Sequence, residues 1–248
     1  SSSAASDVYK RQVSQSSARD LHEVLGISKH KIDVVTEAAD PVFRPITDPG
    51  IGHAARARYG IPDTARLFVY VGGMNAHKNV LCLLKAFPEV VSAHPDAHLA
   101  IVGSTAGTGF WDNVPELKAF IADTPGLSDH VTFTDYLTDD ALVELFAGTE
   151  ALVFPSLWEG FGLPAVEAMS CGLPVLASNC SSLPEVVGEA GLFFDPEEVQ
   201  SMRDALVRFL SDADLADQLR KAALPRAATF TWDAAAGLAE ESFRKAVA

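Results

Sequence analysis

Several residue types are scarce in this 248-residue chain, and each scarcity excludes a class of protein. Only three cysteines occur, Cys82, Cys171 and Cys180, and no two of them form a C-x-x-C pair, which argues against a disulfide framework and a zinc site. Lysine and arginine total 19 against 33 aspartate and glutamate residues, and the net charge of −14 argues against a nucleic-acid partner. No apolar run approaches the roughly 18 residues that a membrane-spanning helix requires. We therefore expect a cytoplasmic protein.

Methionine is also scarce, and the first of the three is Met74. Residues 1–12 contain no apolar stretch of the kind that a signal peptide needs. We therefore expect that the chain is not a complete translation product. Residues 1–12 are expected to be a scar or to be disordered, and we leave them out of the fold prediction.

Hydrophobic residues, in contrast, make up 48% of the chain and form short apolar runs that alternate with helical patterns. This alternation predicts βαβ units, and hence an α/β fold with a doubly wound parallel sheet. The predicted strands are 32–35, 67–71, 98–103, 131–133, 151–154, 175–177 and 192–194. The predicted helices are 17–25, 80–91, 139–147, 165–171, 197–210, 214–227 and 232–246. A proline- and glycine-rich stretch at 40–52 predicts a linker, and a loop is expected from 103 to Gly109.

The most informative segment follows the predicted strand 151–154 and leads into a helix. Gly162 allows a ligand to approach the backbone closely, and the free amides around Gly162 and Leu163 predict an anion site at the start of that helix. Glu159 lies before the helix and Glu167 lies one turn inside it. Carboxylates suit neutral polyols because each can accept hydrogen bonds from sugar hydroxyls.

The segment from Glu159 to Ala168, EGFGLPAVEA, resembles the E-x7-E signature of the retaining GT-B glycosyltransferases of group 1. Further matches at 70–79, 172–178 and 183–191 follow in the expected order. The resemblance covers about residues 66–200. It implies the Rossmann-like, C-terminal domain of a GT-B fold, which binds the sugar donor.

The resemblance also implies a role for each matching residue. Glu167 would bind the ribose hydroxyls of a nucleotide-diphosphate sugar. Glu159, taken as the catalytic residue, would contact the transferred sugar together with the backbone of Phe161 and Gly162. No cofactor is implied, because the nucleotide sugar is the substrate.

The diphosphate would be held by Lys78 and by the amides near Gly162 and Leu163, beside the loop of Gly72 and Gly73. Many relatives have an arginine where Gly73 stands here, so we expect the phosphate site to rest on Lys78 and backbone amides alone. Tyr136 belongs to a second loop, which the resemblance assigns to the base.

The resemblance divides the chain into an end of an N-terminal domain plus linker at 13–45, a donor-binding domain at 46–230, and a terminal helix at 231–248. In relatives that helix crosses back onto the N-terminal domain, which supplies the acceptor site and a catalytic histidine. We therefore expect this chain alone to be incomplete and inactive.

Two classes of function remain open. The first is a hexosyltransferase that acts with retention and without a metal, in polysaccharide biosynthesis, with peripheral membrane association of the full enzyme left open. The second is a nucleotide-sugar-binding module without turnover; an epimerase or phosphorylase is a weaker third reading. The sequence Asp212-Ala213-Asp214 has the D-x-D pattern of metal-dependent glycosyltransferases, but we interpret it as a helix cap. Glu185 is likewise interpreted as structural, in the first turn of a helix.

Overall fold

The chain folds around two parallel sheets of unequal size in the computed structural model, which describes residues 10–106 and 113–247. The strands are β1 (Lys10–Gln12), β2 (Ile32–Val34), β3 (Arg66–Val71), β4 (Ala97–Val102), β5 (Val131–Asp135), β6 (Ala151–Phe154), β7 (Val175–Ser178) and β8 (Gly191–Phe194). The helices are α1 (Gln15–Glu23), α2 (Pro49–Arg58), α3 (Val80–Ala93), α4 (Val114–Asp123), α5 (Asp139–Phe146), α6 (Leu163–Ser170), α7 (Leu183–Val187), α8 (Val199–Ser211), α9 (Ala213–Ala227) and α10 (Trp232–Val247).

The larger sheet has six strands in the order β5-β4-β3-β6-β7-β8, and every neighbouring pair is parallel. When β3 is numbered as the first strand of this sheet, the order becomes 3-2-1-4-5-6, which is the strand order of the Rossmann fold. The predicted α/β doubly wound parallel sheet is therefore confirmed.

Two hydrophobic cores lie on opposite faces of this sheet because side chains alternate along a strand. On β3, Phe68 and Tyr70 belong to one core, while Leu67 and Val69 belong to the other. Helices α3, α4 and α8 cover the first core, and α5, α6 and α7 cover the second. The long helix α9 contributes to both. Burial on both faces explains why the strands read as continuous apolar runs in the sequence.

The predicted strands and helices are found within a few residues of their expected bounds, but three elements were wrong or overlooked. The linker predicted at 40–52 ends in helix α2, because the Asp48 side chain accepts a hydrogen bond from the Gly50 amide and Pro49 fits the first turn of a helix. Residues 10–12 form β1, so excluding them from the fold was wrong. Helix α4 had no prediction. Residues 1–9 and part of the predicted loop through Gly109 lie outside the described residues.

The smaller sheet pairs β1 with β2, and α10 packs beside it. The Arg11 Nε donates to Ser242 Oγ at 2.9 Å, and its guanidinium carbon lies 3.8 Å from the centroid of the Phe243 ring. The Lys245 Nζ lies 3.2 Å from Asp33 Oδ1. The terminal helix thus contacts the segment that the sequence assigns to another domain; the domain boundaries themselves stay a prediction. In the described part of the chain, no helix is long and apolar enough to cross a membrane.

Candidate functional site

The sheet reverses its winding between β3 and β6, which are neighbours although β4 and β5 lie between them in sequence. In open α/β sheets a crevice forms at such a switch point, outside the carboxyl ends of the two strands. Two loops surround this crevice: residues 72–79 after β3 and residues 155–162 after β6. They contain most of the site residues predicted from the sequence.

Lys78 and Glu159 join the two loops across the crevice. Lys78 ends a single 3₁₀ turn, Ala76–Lys78, and its Nζ lies 2.7 Å from Glu159 Oε1. The side chains are only 20% and 12% exposed, respectively, so the ion pair is largely shielded from solvent. The sequence assigned these residues to different parts of a ligand and did not predict that they bind each other.

Asn79, which the sequence analysis did not single out, connects three loops beside this ion pair. Its φ of +58° is left-handed, a conformation that asparagine tolerates better than most residues. Its side-chain amide donates to Pro155 O at 3.1 Å and to Pro196 O at 2.8 Å. An asparagine immediately before a helix would have been read as a helix cap, yet the Asn79 side chain makes no cap hydrogen bond, so no local signal in the sequence indicated this role.

The start of α6 lies in the same crevice. Gly162 has a φ of +102°, and a Cβ there would lie 2.9 Å from Leu183 Cδ2, so a larger residue would be both strained and crowded. Helix α6 begins at Leu163, and the first amides of a helix have no partner within it. The Phe161 side chain is buried, with its ring 5.5 Å from that of Phe230 in an edge-to-face contact. Phe161 can therefore offer a ligand only its backbone.

The loop after β3 is shaped by Tyr70, whose buried hydroxyl donates to Gly73 O. A Cβ on Gly72 would lie 2.9 Å from this hydroxyl oxygen, so Gly72 leaves the space that the tyrosine uses. Burial, with the charge of Glu159 adding to it, raises the pKa of Tyr70 and keeps the hydroxyl protonated as a donor. Gly73 itself is exposed beside the crevice.

Glu167 is half-buried on the second turn of α6. Burial is the main cause that raises its pKa to about 7, and the negative charges of Asp139 and Asp40 add to the increase. None of the described residues hydrogen-bonds to its carboxylate. A desolvated acid without a hydrogen-bond partner is typical of a functional site, because a ligand can supply the missing donors.

Tyr136, which follows β5, is 74% exposed. It lines a cavity of about 370 Å³ together with Asp40 and Asp139, two of the carboxylates that act on Glu167. The preceding residue, Asp135, has a φ of +60° and accepts hydrogen bonds from the amide and the hydroxyl of Thr105, which lower its pKa. The contact with Thr105 was not predicted, and it holds the β4 and β5 loops together.

Asp212 and Glu185, which were interpreted as structural residues, are confirmed as such. Asp212 caps α9, with its Oδ1 accepting from the Leu215 amide at 3.0 Å. Glu185 lies in the first turn of α7 and accepts from the Ser16 amide at 3.0 Å. Within residues 10–106 and 113–247, no three His, Cys, Asp or Glu residues are grouped so that they could hold a metal ion.

Comparisons with known proteins agree with this geometry. The chain is 31% identical over 235 residues to the serotype-specific mannosyltransferase WbdA of Escherichia coli, which covers 94% of this chain and 28% of that protein. It is 33% identical over 234 residues to the D-inositol 3-phosphate glycosyltransferase of Mycobacterium avium (strain 104), covering 93% of this chain and 53% of that protein. The chain thus spans between about a quarter and half of these relatives.

Solved GT-B structures superpose on nearly the whole chain. Sucrose-phosphate synthase from Thermosynechococcus elongatus has a TM-score of 0.80 at 26% identity, covering 95% of this chain and 57% of that one. Anabaena Alr3699/HepE, solved in complex with UDP and glucose, has a TM-score of 0.82 at 22% identity, covering 94% and 62%. The profile of the family "Glycosyl transferases group 1" matches residues 53–225, a span that holds both loops of the crevice. By this match and by its GT-B fold, the chain belongs to the glycosyl transferases group 1 family.

Proposed function

We propose that this chain binds the nucleotide-diphosphate sugar of a hexosyltransferase and presents it for transfer with retention and without a metal ion. The observation that carries the proposal is the shielded Lys78–Glu159 pair at the switch point. A cation in the same crevice as the first amides of a helix suits a diphosphate, and a carboxylate beside that cation suits a sugar. The mannosyltransferase WbdA among the relatives supports a hexose as the transferred group.

Each group in the crevice has a matching part in such a ligand. Lys78 and the amides of Gly162 and Leu163 bind the diphosphate, and Glu159 accepts hydrogen bonds from the sugar hydroxyls. Glu167, half-buried and without a hydrogen-bonding partner in the described chain, accepts those of the ribose. Tyr136 borders the cavity that would receive the base.

The chemical step that we propose breaks the bond between the anomeric carbon and the diphosphate oxygen, and forms a bond from the acceptor oxygen on the same face of the sugar. The departing phosphate takes the acceptor proton, so no nucleophile from this chain is needed. Lys78 and the α6 amides stabilise the charge that develops on the leaving diphosphate. The acceptor itself must be oriented by groups outside this crevice.

Donor binding can be tested on this chain by thermal unfolding with UDP-, GDP- and ADP-sugars. A ligand at 100 times its dissociation constant stabilises a protein by about 2.7 kcal/mol, which raises the unfolding midpoint measurably. We expect one of the three base types to do so. The variant Glu167→Ala should reduce the ligand-induced rise of the unfolding midpoint, because a charged hydrogen bond contributes about 1.5–3 kcal/mol. Failure of all three base types would count against donor binding.

Transfer is a separate question, because the chain spans only part of its relatives. We propose that the chain alone binds the donor and transfers nothing, since acceptor orientation can supply about 7–11 kcal/mol of the barrier. A radiolabelled-donor assay with a broad acceptor mixture tests this. Sustained transfer above hydrolysis would show a complete active site in this chain. Donor binding without transfer by a protein that joins this chain to an acceptor-binding domain would favour a binding module.

A further inference from the structure

The loop that carries Glu159 has no regular secondary structure between β6 and α6, so contacts from elsewhere must hold it. Buried main-chain groups need hydrogen-bond partners, and in this loop they find them mainly in side chains. The Leu157 amide donates to His77 O at 2.8 Å, which fixes one end of the loop. Three consecutive residues beyond β7, Cys180, Ser181 and Ser182, provide further contacts; we call them the 180–182 segment.

Ser181 binds both main-chain groups of Glu159. Its hydroxyl oxygen accepts a hydrogen bond from the Glu159 amide at 3.0 Å and donates to Glu159 O at 2.6 Å. The amide belongs to the peptide plane before the Glu159 Cα and the carbonyl to the plane after it. One hydroxyl therefore fixes both backbone dihedrals of Glu159 and, with them, the direction of its side chain.

The two neighbours of Ser181 hold the residues on either side of Glu159. The Ser182 hydroxyl is fully buried and lies 2.8 Å from Phe161 O and 3.1 Å from Glu159 O, so its one proton binds one of these carbonyls at a time. The Cys180 Sγ lies 3.2 Å from Leu157 O, where the thiol can donate. The 180–182 segment thus contacts the loop at Leu157, Glu159 and Phe161.

Ser181 adopts a backbone conformation that is unfavourable for serine. Its φ is +58°, in the left-handed region that disfavours any residue with a Cβ and that glycine adopts freely. A glycine would fit this turn with less strain, but it would leave the Glu159 amide without its partner and the Glu159 carbonyl with only the shared hydroxyl of Ser182. The serine therefore combines an unfavourable backbone conformation with two hydrogen bonds to a single site residue.

We propose that Ser181 is a positioning residue that aims the Glu159 carboxylate across the crevice, toward Lys78 in the free protein and toward the sugar of the donor when it is bound. The inference rests on the proposed function for the sugar, but the positioning of the loop can be measured without any ligand. Ser181 acts through Glu159 and does not itself touch the donor.

Two variants separate the hydroxyl from the backbone strain. Ser181→Gly removes the hydroxyl and relieves the strain, whereas Ser181→Ala removes the hydroxyl and keeps the strain. Ser178→Ala is the matched control, because Ser178 is a buried serine of β7 whose hydroxyl donates to Phe154 O at 3.4 Å and does not contact Glu159. Thermal unfolding should rank Ser181→Ala below Ser181→Gly.

Calorimetry then compares UDP with UDP-glucose and GDP with GDP-mannose on each variant. Both Ser181 variants should weaken the sugar nucleotide by about tenfold, as expected for a lost hydrogen bond, and should not weaken the nucleoside diphosphate by more than about threefold. The Ser178→Ala chain should keep the ratio of the original chain. Equal weakening of both ligands, or no weakening, would overturn the proposal.

Hydrogen exchange provides the readout that needs no ligand. Amides of residues 156–162 should exchange about tenfold faster in both Ser181 variants, while amides of the central strands β3 and β6 stay unchanged. If the original chain binds none of these four ligands and no ADP-sugar either, the proposed function fails and this measurement alone decides the positioning role. Unchanged exchange at 156–162 would overturn it; faster exchange confined to that loop would support it.

Discussion

Replacing Glu159 with glutamine should strengthen the binding of a nucleoside diphosphate, because the carboxylate competes with the phosphate for Lys78. In the free protein the Lys78 Nζ lies 2.7 Å from Glu159 Oε1, and both side chains are largely shielded from solvent. A diphosphate must share or displace this partner. Glutamine keeps the shape of the side chain and removes the competing charge.

The size of the effect follows from the geometry of the pair. At 2.7 Å and an effective dielectric constant of about 20, two unit charges attract by about 6 kcal/mol. Desolvation offsets most of this attraction, and a charged hydrogen bond contributes about 1.5–3 kcal/mol net. The glutamine oxygen still accepts a hydrogen bond from Lys78, so we expect a gain of about 1–2 kcal/mol, or roughly 5- to 30-fold in Kd.

Isothermal titration calorimetry with UDP and GDP measures this change directly. The matched control is Glu150→Gln, which removes a carboxylate paired with Arg66 and Arg220 just before the start of β6, at the opposite end of that strand from the crevice, and should leave Kd unchanged. With the intact sugar nucleotide, Glu159→Gln should lose affinity relative to the diphosphate because the sugar contact weakens. Equal or weaker diphosphate binding by Glu159→Gln would refute the idea that the pair competes with the ligand.

Two further predictions concern Glu167 and Gly162. The folded-state pKa of Glu167, about 7, lies above its unfolded value of 4.5, so the folded protein holds the proton more tightly and loses stability as pH rises from about 4.5 to 7. Glu167→Gln should therefore raise the free energy of unfolding at pH 8 by about 1–3 kcal/mol and not at pH 4, as measured by denaturant titration at both pH values; a gain of equal size at pH 4 would contradict the cause. Gly162→Ala, whose Cβ would meet Leu183 at 2.9 Å at a φ of +102°, should cost about 2–4 kcal/mol of stability in the same titration. Gly126→Ala, at a φ of +77° with nothing within 4 Å, isolates the backbone strain and should cost about 1 kcal/mol; equal losses would remove the steric explanation.

The sheet could be predicted from the sequence because its strands are buried on both faces, so each reads as a short apolar run. Ala151–Phe154 was predicted to the residue for this reason. The start of α2 could not be predicted in the same way, since proline and glycine around Pro49 indicate a linker unless the Asp48 cap is recognised. Strand β1 has no apolar pattern, and it becomes a strand only because it pairs with β2.

The location of the site was also predictable, because the motif residues directly follow β3 and β6. The internal contacts of the site were not. Lys78 and Glu159 are 81 residues apart, and only the order of strands in the sheet shows that they meet. The role of Ser181 depends on which carbonyls of a neighbouring loop lack partners, and no local pattern in the sequence encodes that. The raised pKa of Glu167 depends on its burial and on two carboxylates from distant segments.

The switch point has a consequence for how the chain folds. It divides the larger sheet into two halves, β3–β5 and β6–β8. The halves meet where β3 pairs with β6, with Phe68 opposite Ala151 and Val69 opposite Leu152. The crevice exists only after these halves dock, and docking closes a loop of about 80 residues, which is entropically costly and slow. A ligand that contacts both Lys78 and Glu159 would therefore connect the two halves next to the strand pair of the larger sheet that has the fewest residues in register. Ligand occupancy should accordingly slow the separation of the halves, and so the proteolysis of the connection between β5 and β6 that contains α5, more than it slows fraying within either half.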